Sequence, residues 1–301
     1  MSPDDGLELI DPHADRDGER DQQRRSMRSV PSPFSDAPGT VRLLEPIQGS
    51  NELLAGGLCR GEISGPFILD TAGMRHLYFD LRAVQSSMRL EEPDALVTAY
   101  AQKMMAFLLF NRAPRHIVMI GLGGGSLVKF CHRHLQGTRL TVLEIDPDII
   151  ELREWFHIPA DDERLRIILG DGAEFVRRGD WTADILLIDA FDRGGVALSL
   201  ASEDFYAQAF RCLGPDGVLV INLAGERGRY SAHLNQLREA CPGPVLLVPV
   251  EADSNVLIFA FVQPVPTWTS ESVKATAEEL QLELALEFPR FLQRLRTGHL
   301  L

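Results

Sequence analysis

His116-Ile117-Val118-Met119-Ile120 runs directly into Gly121-Leu122-Gly123-Gly124-Gly125-Ser126, and this junction decides the fold. A short, continuously apolar run of this kind is the signature of a parallel strand buried on both faces. The glycines after it allow a tight turn, and a helix is expected to follow to about Leu135. The same rhythm then repeats. Strands are expected at Arg139–Leu143, Leu165–Leu169, Asp184–Asp189 and Gly217–Asn222, with helices between them at Pro147–Phe156 and Ser202–Leu213. Pro244–Val250 and Val256–Val262 supply two further strands. Strands alternating with helices predict an α/β fold: a Rossmann-like, mostly parallel, seven-stranded sheet with helices on both faces.

Upstream of Pro93 the pattern differs. Short segments such as Pro66–Asp70 and Arg75–Asp80, separated by glycine and turn residues, predict a small antiparallel β unit over 39–92. An apolar stretch of helical length, Ala95 to Phe110, opens the large domain at 93–268, with Asp94 expected in its first turn. Residues 269–301 read as a helical tail. Residues 1–38 are rich in Asp, Arg, Ser and Pro and read as a disordered tail, in which Arg24-Arg25-Ser26-Met27-Arg28 is a solvated run or a docking patch.

Composition narrows the function classes. The 301 residues include 43 acidic and 30 basic side chains, giving a formal charge of −13, and 45% are hydrophobic. That balance argues against general nucleic-acid binding, which needs a basic stripe. No run approaches the roughly 18 apolar residues of a membrane span, and the N-terminus lacks the apolar core of a signal peptide, so a cytoplasmic setting is the expectation. Cys59, Cys131, Cys212 and Cys241 are widely spaced and read as free thiols rather than a metal cage or disulfide framework. No metal site is expected.

In an open α/β sheet, ligands bind beyond the carboxyl ends of the strands. Four clusters fall there: Gly121–Ser126, Glu144-Ile145-Asp146, Gly170-Asp171-Gly172 and Asp189-Ala190-Phe191-Asp192. The glycine loop lets a ligand approach the backbone, and the helix after it offers free N–H groups. An acid about 20 residues later can accept hydrogen bonds from a ribose diol; Glu144 is the first choice and Asp146 the second. Asp146 equally suits an N-cap for the helix opening at Pro147. Asp171 suits an adenine amino group, or again a cap. A nicotinamide dehydrogenase is disfavoured because Ser126 stands where its fingerprint needs the last glycine. Other residues have plainer readings: His132 and His134 at a helix end, Trp155-Phe156-His157 packing a helix end, and Phe205 and Tyr206 in the core. Asn222 ends the fifth strand near the site.

The order Ile-Gly-Leu-Gly-Gly-Gly-Ser, Leu-Glu-Ile-Asp-Pro, Leu-Gly-Asp-Gly, Leu-Ile-Asp-Ala-Phe-Asp resembles the spermidine synthase (polyamine aminopropyltransferase) family, which shares the class I methyltransferase fold. Phe79–Ser86 and Tyr100-Ala101-Gln102 are similar to that family's N-terminal part, and the likeness runs from about 60 to 263. The resemblance implies transfer of an aminopropyl group from decarboxylated S-adenosylmethionine to a polyamine such as putrescine. It implies donor contacts at Gln85, Gly121, Gly123, Gly124, Gly125, Glu144, Asp146, Asp171 and Gly172. It makes Asp189 the catalytic aspartate and Asp192 the second acid, with Tyr100 and Gln102 beside the amine. It also implies a homodimer or homotetramer. Three positions depart from the family pattern. The acid of its glycine loop, which faces the donor amine, is Gly124; Arg193 replaces the proline after Asp192; and Ala101 follows Tyr100, so that Gln102 is one position late. The first departure removes an acid that would repel the carboxylate of intact S-adenosylmethionine, so methyl transfer to an unknown acceptor is the alternative. A nucleoside-binding homologue without turnover is the third reading.

Overall fold

The computed structural model describes residues 25–81, 83–192, 195–196, 198–223, 231–250, 255–264, 271–297 and 299–300. The chain opens with β1 (Met27–Pro31), β2 (Thr40–Leu44), α1 (Asn51–Arg60), β3 (Phe67–Thr71), β4 (Met74–Tyr78) and β5 (Val84–Arg89). These five strands form one antiparallel sheet in the order β1-β2-β3-β4-β5. Two expectations are corrected here. The tail expected to reach residue 38 already contains strand β1, of which only Val30 is buried. A helix, α1, lies within the β unit; Ser50 caps it by accepting from the Leu53 N–H, and Gly61 ends it at φ +68°. α1 buries Leu54 and Leu58 against Val30, Val41, Phe67 and Leu69, which gives the unit a core of its own.

The large domain follows as α2 (Ala99–Met104), a 3₁₀ turn (Met105–Leu109), β6 (His116–Ile120), α3 (Ser126–His134), β7 (Arg139–Glu144), α4 (Pro147–Glu151), β8 (Leu165–Leu169), α5 (Gly172–Arg178), β9 (Ala183–Ile188), the short β10 (Phe191–Asp192) and β11 (Gly195–Val196), α6 (Glu203–Cys212), β12 (Leu213–Leu223), α7 (Ser231–Ala240), β13 (Val245–Val250), β14 (Asn255–Phe261), α8 (Glu271–Leu284), α9 (Phe288–Thr297) and β15 (His299–Leu300). The sheet order is β15-β13-β14-β12-β9-β6-β7-β8. β12, β9, β6, β7 and β8 are mutually parallel, and β14 is antiparallel to both neighbours. The predicted seven-stranded, mostly parallel sheet is therefore present, extended by the two-residue β15.

The central strands carry apolar residues at consecutive positions because alternate residues feed two cores. Ile117, Met119, Ile185, Leu187, Val218 and Val220 face a core completed by Met104, Phe107, Phe130, Ala277 and Phe291, from the α2, α3, α8 and α9 side. Val118, Ile120, Leu186, Ile188, Leu219 and Ile221 face Phe175, Tyr206, Phe210 and Leu237, from α5, α6 and α7. Each large side chain removed from water contributes ~1.5–3 kcal/mol. Among the described residues, no helix is long and apolar enough to cross a membrane.

Two predicted helices are shorter than expected. The segment from Ala95 to Phe110 becomes α2 and a 3₁₀ turn, and Asp94 lies outside it, paired with Arg133. α4 stops at Glu151 instead of Phe156; the chain beyond it continues in turns, with His157 at φ +54°. Arg75 donates to the Trp155 carbonyl and Lys129 Nζ to the Phe156 carbonyl. Arg42 and Arg75 also lie over the Trp155 ring, at 4.8 and 5.4 Å, and Asp70 holds both guanidinium groups.

Lys129 is 1% exposed, and burial draws its ammonium down from 10.5 to about 8. The folded chain thus holds fewer protons than the unfolded chain between those values, so this group makes stability rise with pH across that window. Relative to Lys129→Met, wild type is expected to gain on the order of 2 kcal/mol between pH 7.5 and pH 10.5. Urea melts of both proteins at the two pH values measure it, and a constant difference would contradict the assignment.

Candidate active site

The strand ends are registered by backbone bonds. Gly121 N donates to Leu143 O at 2.8 Å, Asp189 N to Ile120 O at 3.0 Å and Gly170 N to Glu144 O at 2.8 Å. This brings the four clusters to one edge of the sheet, around a cleft of ≈ 250 Å³. Its wall includes Gln85, Ser86, Tyr100, Gly121, Gly123, Gly124, Glu144, Ile145, Asp171, Gly172, Asp189, Ser199 and Leu200.

The glycine loop is required by its geometry. Gly121 has φ +98°, and a Cβ there would lie 2.3 Å from the Asp189 carbonyl oxygen. Gly123 and Gly125 also have positive φ, +50° and +66°. Gly125 is the N-cap residue of α3 and lies behind the cleft wall rather than in it.

Glu144 fixes that loop. Its Oε2 accepts from the Leu122 N–H at 2.8 Å and its Oε1 from the Asp146 N–H at 2.9 Å. It is 8% exposed, and a carboxylate has about four acceptor sites, so each oxygen keeps capacity for a ligand hydroxyl. Asp146 is not in the cleft wall; its side chain caps α4 by accepting from the Asp148 N–H at 2.9 Å. Of its two sequence readings, the cap is what the structure contains. Asp171 caps α5, its Oδ1 accepting from the Ala173 N–H at 2.8 Å, and it also lines the cleft. Gly172 packs where a Cβ would meet Ile120 Cγ2 at 2.4 Å.

Asp189 sits at the end of β9. Its Oδ1 accepts from Asn222 Nδ2 at 2.9 Å, and it shares a hydrogen bond with the Tyr100 side chain. Burial raises its pKa above the ordinary carboxylate range, and the two hydrogen bonds oppose that rise. Gln102, expected beside Tyr100, turns away and donates to the Leu96 carbonyl at 2.7 Å. One step along a helix rotates a side chain by about 100°, which takes it off the cleft face. The backbone of Asp192 lies in β10, paired with Gly195 in β11. The Asp192 side chain and Arg193 lie outside the described residues. Ser86, Asn255 and Ile145 were not singled out as site residues in the sequence; Ile145 is 67% exposed, and an apolar residue in the open after the key acid is its only signal.

Gly124 has a structural reason. A Cβ at 124 would lie 2.5 Å from Ser86 Oγ, 2.9 Å from Ser86 Cβ and 3.0 Å from Phe156 Cδ1. Ser86 on β5 occupies the space a loop side chain would need. Gly124→Asp is therefore expected to cost ~1–3 kcal/mol of stability, and Ser86→Gly to recover much of it. Thermal melts of the two single variants and the double variant check this; strictly additive losses would show that the two sites do not share space.

The sheet order and the strand-end constellation define a class I methyltransferase-like α/β domain. The spermine/spermidine synthase domain model matches residues 78–236. A polyamine aminopropyltransferase from Chromobacterium violaceum is 34% identical over 241 residues, covering 78% of this chain and 92% of that protein. A spermidine synthase crystallised with the transition-state analogue AdoDATO superposes with a TM-score of 0.61 at 17% identity, over 92% of this chain and 94% of that one. Human methyltransferase-like protein 13 in complex with SAH gives 0.57 at 22% identity, over 63% and 93%. The two structures share the fold, and the chain belongs to the spermine/spermidine synthase family.

Proposed function

We propose that this enzyme transfers an aminopropyl group from decarboxylated S-adenosylmethionine to a diamine or polyamine such as putrescine. Beside family membership, one observation carries the reading. Every charged side chain among the described residues of the cleft wall is a carboxylate: Glu144, Asp171 and Asp189. Such a wall suits a sulfonium donor with an amine tail and a polycationic acceptor, and offers no cationic side chain to a donor carboxylate.

In this account Gly121, Gly123 and Gly124 admit the donor along the backbone, and Gln85 lies beside its tail. Glu144 accepts from the ribose hydroxyls and Asp171 from the adenine amino group, with Gly172 beside the base. The acceptor amine must be neutral to attack. Its lone pair forms a bond to the propyl carbon next to sulfur, the C–S bond breaks, and the electron pair leaves on the thioether. The amine proton passes to Asp189, held by Tyr100 and Asn222. Asp192 anchors a distal ammonium. Holding amine and carbon in line supplies much of the remaining acceleration. A homodimer or homotetramer and a cytoplasmic setting belong to the same proposal, on the family resemblance alone.

Calorimetry with decarboxylated and intact S-adenosylmethionine, side by side, tests the donor. The decarboxylated form is expected to bind at least about tenfold tighter, or ~1.4 kcal/mol. Preference for the intact form would redirect the reading to methyl transfer.

A further inference from the structure

Asp189 is the end of a chain of side-chain amides that reaches into the sheet. Asn255, the first residue of β14, donates from Nδ2 to Asn222 Oδ1 at 3.0 Å, and Asn222 donates from Nδ2 to Asp189 Oδ1 at 2.9 Å. Asn222 pairs with Leu257 across β12 and β14, so Asn255 lies diagonal to it on the same face. Both asparagines are buried, at 1% and 8% exposure, and neither is part of the cleft wall.

The polarity of this chain has one solution. An ionised carboxylate only accepts, so Asn222 must present its NH₂ to Asp189. Its carbonyl oxygen then points the other way and needs a donor, which Asn255 supplies. Among the described residues Asn255 is the donor to this oxygen, so without it the Asn222 oxygen loses that partner, and turning the amide would aim that oxygen at Asp189.

We propose that Asn255 is a positioning residue for the transfer reaction: it locks the Asn222 amide so that a donor always faces Asp189. The proposal rests on the reading of Asp189 as the proton acceptor. Among the described residues, the groups that face Asp189 are the Tyr100 hydroxyl from α2 and the Asn222 amide from β12, with backbone alone from the glycine loop. Glu144 and Asp171 are the other ionisable groups of the cleft. Losing the Asn222 donor disfavours the ionised form of Asp189, so its titration moves to higher pH.

The test is the pH profile of kcat/KM for Asn255→Leu and Asn255→Ser beside wild type and Asp189→Asn. For Asn255→Leu, kcat is expected to fall about tenfold, donor KM to stay within about twofold, and the acid limb to move up by about one pH unit. Asn255→Ser keeps a hydroxyl donor of shorter reach and is expected to restore part of kcat and to bring the limb part of the way back. Asn255→Ala serves the same comparison should the leucine not fold. A lower Tm with kcat and acid limb unchanged would overturn the proposal and leave Asn255 a packing residue. Retained turnover in Asp189→Asn would instead sink the reading of Asp189 itself, so the two failures are distinguishable.

Discussion

Asp189→Asn is expected to lower kcat by about 10²- to 10⁴-fold while donor affinity stays within about twofold. The amide has nearly the shape of the carboxylate, so the cleft and its hydrogen bond from Asn222 can persist. What disappears is the group that takes a proton from the attacking amine. The same logic fixes a pH dependence. The working form of Asp189 is ionised, so turnover falls as pH drops through its pKa. Burial places that pKa above the ordinary carboxylate range, and the acid limb of kcat/KM is therefore expected above it too. Steady-state rates from pH 5 to 9 read both effects. Unchanged kcat in the variant would remove Asp189 from the proton transfer.

Glu144→Ala has the largest expected effect on binding. In the protein alone its two oxygens already hold the Leu122 and Asp146 amides, which sets the mouth of the glycine loop. In the proposed complex the same oxygens accept from the ribose. Hydrogen bonds to a charged group contribute ~1.5–3 kcal/mol each, so losing both the ligand contacts and the loop support should weaken donor binding at least about 100-fold. Glu144→Gln keeps one acceptor oxygen and is expected to fall between. Calorimetric titration with the donor measures this, and unaltered affinity in the alanine variant would leave Glu144 without a ribose role.

The parallel strands were legible because burial on two faces leaves continuous apolar runs, Ile117–Ile120 in β6, Ile185–Ile188 in β9 and Val218–Ile221 in β12, with no competing helical period. The site clusters were legible because connectivity in such a sheet puts the carboxyl ends of the parallel strands on one edge. What the sequence concealed is where partners are distant or the signal is thin. β1 buries only Val30 of its five residues and looks like the tail that precedes it. α1 contains Gly56 and Gly57, which lower its helical signature. α4 stops at Glu151, and the turns after it place the Trp155 and Phe156 carbonyls against Arg75 and Lys129, partners distant in the chain. Asp146 and Asp171 have the same local sequence logic, acid then helix, and only their position separates a cap from a cap that also lines the cleft. Asn255 lies 33 residues from Asn222, and only the β12–β14 register brings them together.

The most direct test of the account is product analysis by mass spectrometry after incubating the purified chain with decarboxylated S-adenosylmethionine and putrescine or longer polyamines. The account predicts one aminopropyl adduct of the amine for each methylthioadenosine released, and both products formed at least about 100-fold more slowly with Asp189→Asn. A tightly bound decarboxylated donor that is never consumed with any amine, or methyl transfer from the intact donor in its place, would contradict it.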